Sequence, residues 1–436
     1  MQGDWRTAPA PDGWSSRPIT ELVDFPSGQV DPRNEPYRSM VLVAPDHIGA
    51  ATGNLRSKVA AAAQGAISGK YLFAPGDVIY SKIRPYLRKA ILADFEGLSS
   101  ADMYPLRSRD GIVPRFLLAI ILGEHFSRFA EIVSMRSGFP KINREEFSEY
   151  IVSVPSVPEQ RRIAEILDTL DASIQKTEQL IAKLKQVKQG LLHDLLTCGI
   201  DENGELRDPA RYPEQFKNSL LGRIPRAWQL AQLSSRLEVK GGKRLPAGHA
   251  YADAVTRYRY LRVQDFFGRS FDLDELVSLN EATFSALDRY EIHPGELYIS
   301  IAGSIGHVGV YNPPVGVEAR TILTENAARL VPVLQLVPEF VAAQMNSKFV
   351  QRQIEVEKGV GGGVPKLALF RIEDLMLIWP PPSEQKAIVD RLRALDMRLS
   401  CEEAELAKRY LLKQGLMEDL LTGCVRVTHL LNKATR

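Results

Sequence analysis

One 39-residue stretch occurs twice in this chain, the copies 225 residues apart and in register without a gap. Glu159-Gln160 faces Glu384-Gln385, and Ile163, Leu167, Leu170 and Asp171 face Ile388, Leu392, Leu395 and Asp396. Lys188-Gln189-Gly190-Leu191 faces Lys413-Gln414-Gly415-Leu416, and Asp194-Leu195-Leu196-Thr197 faces Asp419-Leu420-Leu421-Thr422. Seventeen of the 39 positions are identical, and the register extends upstream, where Gly138, Pro140 and Lys141 match Gly363, Pro365 and Lys366. Repeats of this kind set the architecture of a chain before any local propensity does.

In the first copy, apolar residues fall at Ile163, Leu167, Leu170, Ile174, Ile181, Leu184, Leu191 and Leu195, interrupted at Thr177 and Lys188. Spacing that alternates four and three puts them on one face of a helix, the seam of a coiled coil. The second copy carries Ile388, Leu392, Leu395, Leu399, Leu406, Leu416 and Leu420 on the same seam; Glu402, Arg409 and Lys413 interrupt it, which predicts a looser middle. Prolines precede both copies (Pro155 and Pro158; Pro380 to Pro382), as suits a helix start, and Ser383 is placed to be an N-cap. A helix of that length spans about 60 Å at 1.5 Å per residue. Polar on most of its surface, it needs a partner for its apolar face. The nearest one is the other copy, antiparallel if the chain folds back through the domain between them.

The order along the chain is domain, helix, linker, domain, helix. The expected bounds are residues 1–154 for a first globular domain, 155–199 for the first long helix, 200–224 for a polar linker rich in turn formers, 225–378 for a second globular domain, 379–424 for the second long helix and 425–436 for a tail. In the first domain, Pro75-Gly76-Asp77 reads as a turn before a Val78-Ile79-Tyr80 strand, Phe116 to Phe129 as one amphipathic helix, and Tyr150 to Val154 as a strand. Landmarks recur in the second domain: Pro11-Asp12-Gly13-Trp14 matches Pro225-Arg226-Ala227-Trp228, and Pro114-Arg115-Phe116 matches Pro338-Glu339-Phe340. Between landmarks the domains share little. The expected fold class is α+β: two globular α/β domains joined by two long helices pairing as an antiparallel coiled coil.

With 44% hydrophobic and 25% charged residues the composition is that of an ordinary globular protein. A net charge of +2 does not by itself point to nucleic acid. Cys198, Cys401 and Cys424 lie far apart, which reads as a reducing compartment, the cytoplasm, without a disulfide framework. The start lacks the apolar core of a signal peptide, and the longest apolar run, Phe116 to Leu122, is too short to span a membrane.

Signs of catalysis are sparse, and no catalytic residue and no metal ligand is assigned. Asn312-Pro313-Pro314-Val315 resembles the Asn-Pro-Pro-aromatic motif of adenine methyltransferases, but valine stands where an aromatic would stack on a flipped base. Gly359 to Gly363 lacks the Lys-Ser/Thr of a phosphate loop, and Gly303, Gly306 and Gly309 are spaced like tight turns in a sheet. Basic residues interleaved with aromatics carry more weight, because Lys and Arg neutralise phosphates and Arg can pair with guanine. The DNA-contact candidates are Lys82, Arg84, Arg88, Lys89, Arg136 and Lys141 in the first half, and Lys240, Lys243, Arg244, Arg257, Arg259 and Lys366 in the second. Arg257, Arg259 and Arg262 alternate with Tyr258 and Tyr260 along an expected strand; Lys141 and Lys366 occupy equivalent places in the repeat. A solvated surface strand is the plain alternative.

The proline-led Glu-Gln helix starts, the Lys-Gln-Gly-Leu and Asp-Leu-Leu-Thr helix ends, the Phe216-Lys217-Asn218-Ser219 and Leu221-Gly222-Arg223-Ile224-Pro225 segments and the Trp228 opening together resemble the specificity subunits of type I restriction-modification systems. The resemblance covers nearly the whole length. It implies two target-recognition domains, each binding one half of a bipartite double-stranded DNA target, on an antiparallel coiled coil that sets the spacer. It further implies two methyltransferase subunits docked on the helices, and restriction subunits (two, in systems that have them). S-adenosylmethionine, ATP and Mg would then belong to partner subunits, with no cofactor in this chain and no membrane partner. The competing functions are a self-contained adenine methyltransferase and a two-headed protein–protein scaffold.

Overall fold

The computed structural model describes residues 10–135, 139–220, 222–267, 273, 275–314, 316, 318–358 and 365–431. Two compact units emerge, Met1–Leu180 with Glu402–Arg436, and Ile181–Cys401, so the division falls inside both long helices. Each unit therefore holds one globular head and one half of each helix.

The head of the first unit is built on a four-stranded antiparallel sheet in the order Val23–Asp24, Met103–Ser108, Val78–Ser81, Ala90–Leu92. A second sheet sets Leu42–Val43 parallel to Gly97–Ser99, which pairs antiparallel with Tyr71–Phe73. Ser15–Pro18 pairs with Ile151–Val154, the strand that leads into the first long helix. The head of the second unit repeats this plan. Its four-stranded sheet runs Leu237–Gly241, Ala327–Pro332, Leu297–Ser300, Val308–Val310. Its second sheet sets Tyr258–Leu261 parallel to Arg320–Leu323, which pairs with Glu291–Ile292, and adds Val277–Ser278 at one edge. Gln229–Gln232 pairs with Met376–Trp379 before the second long helix. Two sequences with few identities thus share one topology.

An acid placed before the same strand explains part of that conservation. Asp77, ahead of Val78–Ser81, accepts from Arg107 at 3.0 and 2.9 Å and from the Ala74 amide at 2.9 Å. Glu296, ahead of Leu297–Ser300, accepts from Arg329 at 2.9 and 2.7 Å and from the His293 amide at 3.1 Å. Each acid closes a turn and neutralises an arginine of the adjacent strand. Glu296 and Arg329 are both buried, so neither charge can be left alone cheaply.

Several local expectations change. The Phe116 to Phe129 segment is two helices, Pro114–Leu122 and Glu124–Ser134, broken at Gly123, whose ψ of 156° is extended rather than helical. The first of them is buried from Phe116 to Leu122, a core helix rather than an amphipathic one. The second long helix begins at Pro382, so Ser383 lies in its first turn and is not the N-cap. Residues 200–220 and 222–224 belong to the second unit: Ile200 bridges Leu206, and Phe216–Ser219 pairs antiparallel with Gly222–Pro225. Gly303 and Gly306 have positive φ, but Gly309 lies in a strand, where a Cβ would come 2.1 Å from the Tyr298 hydroxyl.

The long helices, Val157–Thr197 and Pro382–Thr422, run in opposite directions. In the first unit Asp171 pairs with Lys413, and Thr177, further along its helix, accepts from Arg409, earlier along the other. In the second unit Lys188 pairs with Asp396. These two ion pairs are the same pair under the repeat. Ile163, Leu167, Ile174 and Leu420 are buried in the first unit and Ile181, Leu184, Leu195, Ile388, Leu392 and Leu399 in the second. Leu170, Leu191, Leu395, Leu406 and Leu416 are half-buried. Two of the three interruptions are tied down: Arg409 also donates to the Ser173 carbonyl at 3.2 Å, and Lys413 is buried. Polar layers of this kind favour one register of a helix pair over its neighbours.

The repeated Glu-Gln dipeptide joins each head to its helix. Gln160 accepts from the Val113 amide at 2.8 Å and donates to the Pro155 carbonyl at 3.0 Å; Gln385 does the same with Val337 at 2.9 Å and Pro380 at 2.9 Å. Both amides satisfied in this way open a helix that begins with proline, where backbone N–H groups lack helical partners. Beside them an ion pair holds the head to the long helix, with its polarity reversed between units: Arg115 with Asp168 in one, Glu339 with Arg393 in the other. Among the described residues no helix is long and apolar enough to cross a membrane.

Replacing Glu296 with alanine leaves the buried Arg329 unpaired and is expected to cost about 3–5 kcal/mol. Arg107 is half exposed, so Asp77→Ala is expected to cost less. Urea unfolding followed by Trp fluorescence checks both.

Candidate nucleic-acid interface

Strand Val78–Ser81 ends in a turn that carries cations. Ser81 Oγ donates to the Ile83 carbonyl at 3.0 Å, Ile83 bridges Lys141, and the Arg84 amide donates to the Pro140 carbonyl at 2.9 Å. Backbone bonds therefore bring Lys82 and Arg84 against Lys141, and Arg144 follows three residues on. Lys82 lies 5.1 Å from the centre of the Tyr104 ring, and Arg144 lies 5.9 Å from the same ring and 5.0 Å from Phe25. Arg84 lies 4.8 Å over Phe139. Three of the four cations thus lie against aromatic rings, and Lys141 joins them through its backbone bridge to Ile83. Among the described residues no carboxylate is within ion-pair distance of any of them.

Like charges crowded without acids are unfavourable for the free protein. The effect is visible at Lys82, whose pKa is lowered first by burial and then by Lys141 and Arg144, with Asp102 opposing. Two arginines of the same loop, Arg84 and Arg88, sit at φ of 48° and 46°, a left-handed conformation that non-glycine residues adopt at a cost of roughly 1–2 kcal/mol. Strain and unneutralised charge at one place are what a surface built for an anionic ligand carries.

The second head places cations at the same end of the equivalent sheet. Lys366 bridges Ala302, two residues beyond Ser300, as Lys141 bridges Ile83, two residues beyond Ser81. The Lys243 amide donates to the Leu323 carbonyl at 2.9 Å, and Gly242 donates to Ala327 at 3.0 Å. The Ile301 amide donates to the neighbouring Asn326 carbonyl at 2.8 Å, so Lys243, Arg244 and Lys366 gather at one sheet end, all three exposed.

Other candidates do not belong to these clusters. Arg259 is 5% exposed within a central strand and donates to Ser278 Oγ, so it is a core residue and not a DNA contact. Alternation misled because Tyr258–Leu261 is buried on both faces. Arg262 is paired with Asp265. Arg257 is exposed but lies over Tyr258 and donates to its hydroxyl at 2.7 Å. Lys89 donates to the Pro45 carbonyl at 2.6 Å, and Lys240 pairs with Glu238 at 2.8 Å, which ties down the first and neutralises the second. Arg88 is half-buried and faces Glu124 rather than the cluster. Arg136, Gly138, Val315 and Gly359 to Gly363 lie outside the described residues. Arg144 was not among the expected contacts; its one sequence signal was its place three residues after a repeat-matched lysine. Among the described residues no cluster of His, Cys, Asp or Glu is arranged to hold a metal ion.

Comparison with known proteins gives a consistent picture. The family model for the type I restriction modification DNA specificity domain matches residues 11–186. The chain is 30% identical over 238 residues to the type I restriction enzyme EcoDI specificity subunit of Escherichia coli, a match spanning 54% of this chain and 51% of that protein. It thus spans about half the length of that relative. Over 341 residues it is 22% identical to the type I restriction enzyme MjaVIII specificity subunit of Methanocaldococcus jannaschii, covering 77% and 76% of the two chains. A solved chain from work on complex assembly and conformational transition of the type I R-M system aligns with a TM-score of 0.62 at 18% identity, over 96% of this chain and all of that one. The type I restriction-modification S subunit from M. genitalium aligns with a TM-score of 0.54 at 15% identity, over 95% and 98%. At these identities the solved structures speak for the fold.

The lowered Lys82 pKa has a measurable consequence. An anion beside Lys82 favours its charged form and so raises that pKa. Affinity for duplex DNA is expected to fall as pH rises through the lowered value of the free protein, before the ordinary lysine range near about 10.4. Fluorescence anisotropy across that range should show the fall in the native protein and its loss in Lys82→Arg.

Proposed function

We propose that this chain, which is similar to type I restriction-modification specificity subunits, is the non-catalytic DNA-reading subunit of such a complex. Each head binds one half of a bipartite duplex target. The paired long helices set the spacer between the halves and offer the docking surface for two methyltransferase subunits. S-adenosylmethionine chemistry on adenine resides in those partners, as do ATP and Mg in restriction subunits where a system has them. The complex works in the cytoplasm, where its DNA is.

One observation carries this reading: two heads of the same topology, divergent in sequence, gather cations at the same end of the same sheet. Heads that present different side chains from one frame suit the recognition of two different half-sites. A net charge of only +2 is compatible with this, since partner subunits can supply further phosphate contacts.

Co-expression with a cognate methyltransferase subunit, followed by genome-wide mapping of N6-methyladenine, is expected to show a bipartite motif that depends on this chain. A stable complex without any motif would sink the proposal. Inserting residues into both long helices is expected to change the spacer and leave both half-sites as they were; altered half-sites with the old spacer would overturn the ruler role.

A further inference from the structure

Head one exposes a phenylalanine in the middle of its cations, and phosphate binding has no use for it. Phe139 is 59% exposed. The guanidinium of Arg84 covers one face of its ring at 4.8 Å. The ring is not carried on a free loop: Pro140 follows it and restricts its backbone, the Pro140 carbonyl accepts from the Arg84 amide, and Lys141 bridges Ile83. Phe139 and its covering arginine are thus fixed to each other through the backbone. Lys82 and Arg144 lie on the Tyr104 ring of the same cluster, where the charges of Lys141 and Arg144 act on Lys82 and that of Asp102 opposes them. In the sequence repeat, another apolar residue, Val364, stands at the corresponding place between Gly363 and Pro365.

Contacts to phosphate and sugar position a protein on DNA and carry no sequence information. Sequence is read at base edges, and thymine is the base that offers an apolar group in the major groove, its C5 methyl, which phenylalanine can meet. A side chain acting as a wedge between base pairs would need both ring faces; Arg84 occupies one, which leaves the other face and the edge. Resting on the reading of head one as a DNA-binding domain, we propose that Phe139 is a base-reading residue that packs on the C5 methyl of a thymine in head one's half-site, while Lys82, Arg84, Lys141 and Arg144 hold the phosphates around it.

The test uses the complex with its methyltransferase subunits and a duplex carrying the mapped motif. Each thymine of the half-site is replaced in turn by uracil, which lacks only the methyl group. At one position the native complex is expected to lose about fourfold in affinity, the factor that corresponds to ~0.8 kcal/mol for one buried methyl or methylene. The Phe139→Ala complex is expected to bind thymine and uracil duplexes alike at that position. Uracil-insensitive binding by the native complex, undiminished sensitivity in Phe139→Ala, or a half-site without thymine would each overturn the assignment. Arg84→Ala and Lys141→Ala keep the two levels apart, since loss of a phosphate contact lowers the salt dependence of binding. A reduced salt slope with no uracil effect removes Phe139 alone, whereas an unchanged slope removes the head-one interface itself.

Discussion

At the first turn of each long helix stands a carboxylate that is filled by an arginine arriving after the other long helix. Glu159 is 1% exposed and accepts two bonds from Arg426, at 2.8 and 2.9 Å. Glu384 accepts from Arg207, from the Ile200 amide at 3.0 Å and from the Trp228 indole at 2.9 Å. A buried carboxylate is tolerable only with such partners. Because the arginine comes from beyond the opposite helix, the pair holds only if the helices lie antiparallel and in one register. Head, helix start and the segment that follows the other helix therefore converge on one residue in each unit. The two sites differ in one respect. Arg426 takes both oxygens of Glu159, and the buried Trp14 indole N–H finds no partner among the described residues. Arg207 takes one oxygen of Glu384, which leaves the other for Trp228.

Around these points the heads keep a frame and vary its surface. The frame consists of the sheet order, the acid that closes the turn before the third strand, the bridge from a post-strand residue to Lys141 or Lys366, and the glutamine amide at the helix start. All are backbone-directed contacts, which tolerate changes in the side chains between them. The variable part is the set of cations and rings displayed at the sheet end. In head one, Lys82, Arg84 and Arg144 lie against Tyr104, Phe25 and Phe139, with Lys141 bridged to the same turn. In head two Lys243, Arg244 and Lys366 gather at that sheet end, and other cations of the head are neutralised by their own acids, as Arg320 is by Glu291 and Arg262 by Asp265.

The long helices were legible from residue spacing alone, because a seam with a period of 3.5 residues is a local pattern repeated many times over. The heads were legible only at their landmarks. Their strands are two to six residues long, too short for alternation to separate one exposed face from two buried ones. Arg259 shows the consequence: it reads as a surface cation until the strands on either side of it are known. Residues 200–224 read as a linker for a related reason. Their turn formers are real, but their paired strands and the Arg207–Glu384 pair depend on a helix start that lies far away in sequence. The cation cluster was partly visible, since Lys141 carried the repeat signal, whereas Arg144 and the aromatic rings needed the fold to bring them to Lys82.

The ion pair with reversed polarity has a bearing on how such chains can be recombined. Arg115 meets Asp168 in one unit and Glu339 meets Arg393 in the other, at equivalent places of the same frame. A head transplanted into the other slot without its long helix would set arginine against arginine, or glutamate against aspartate. The energy at stake in each half-exposed pair is small, within about 1 kcal/mol, but an exchange of both heads makes two repulsive contacts where there were two attractive ones. The transferable cassette is therefore a head together with the opening turns of its own helix, and the productive crossover points lie downstream of Asp168 and Arg393.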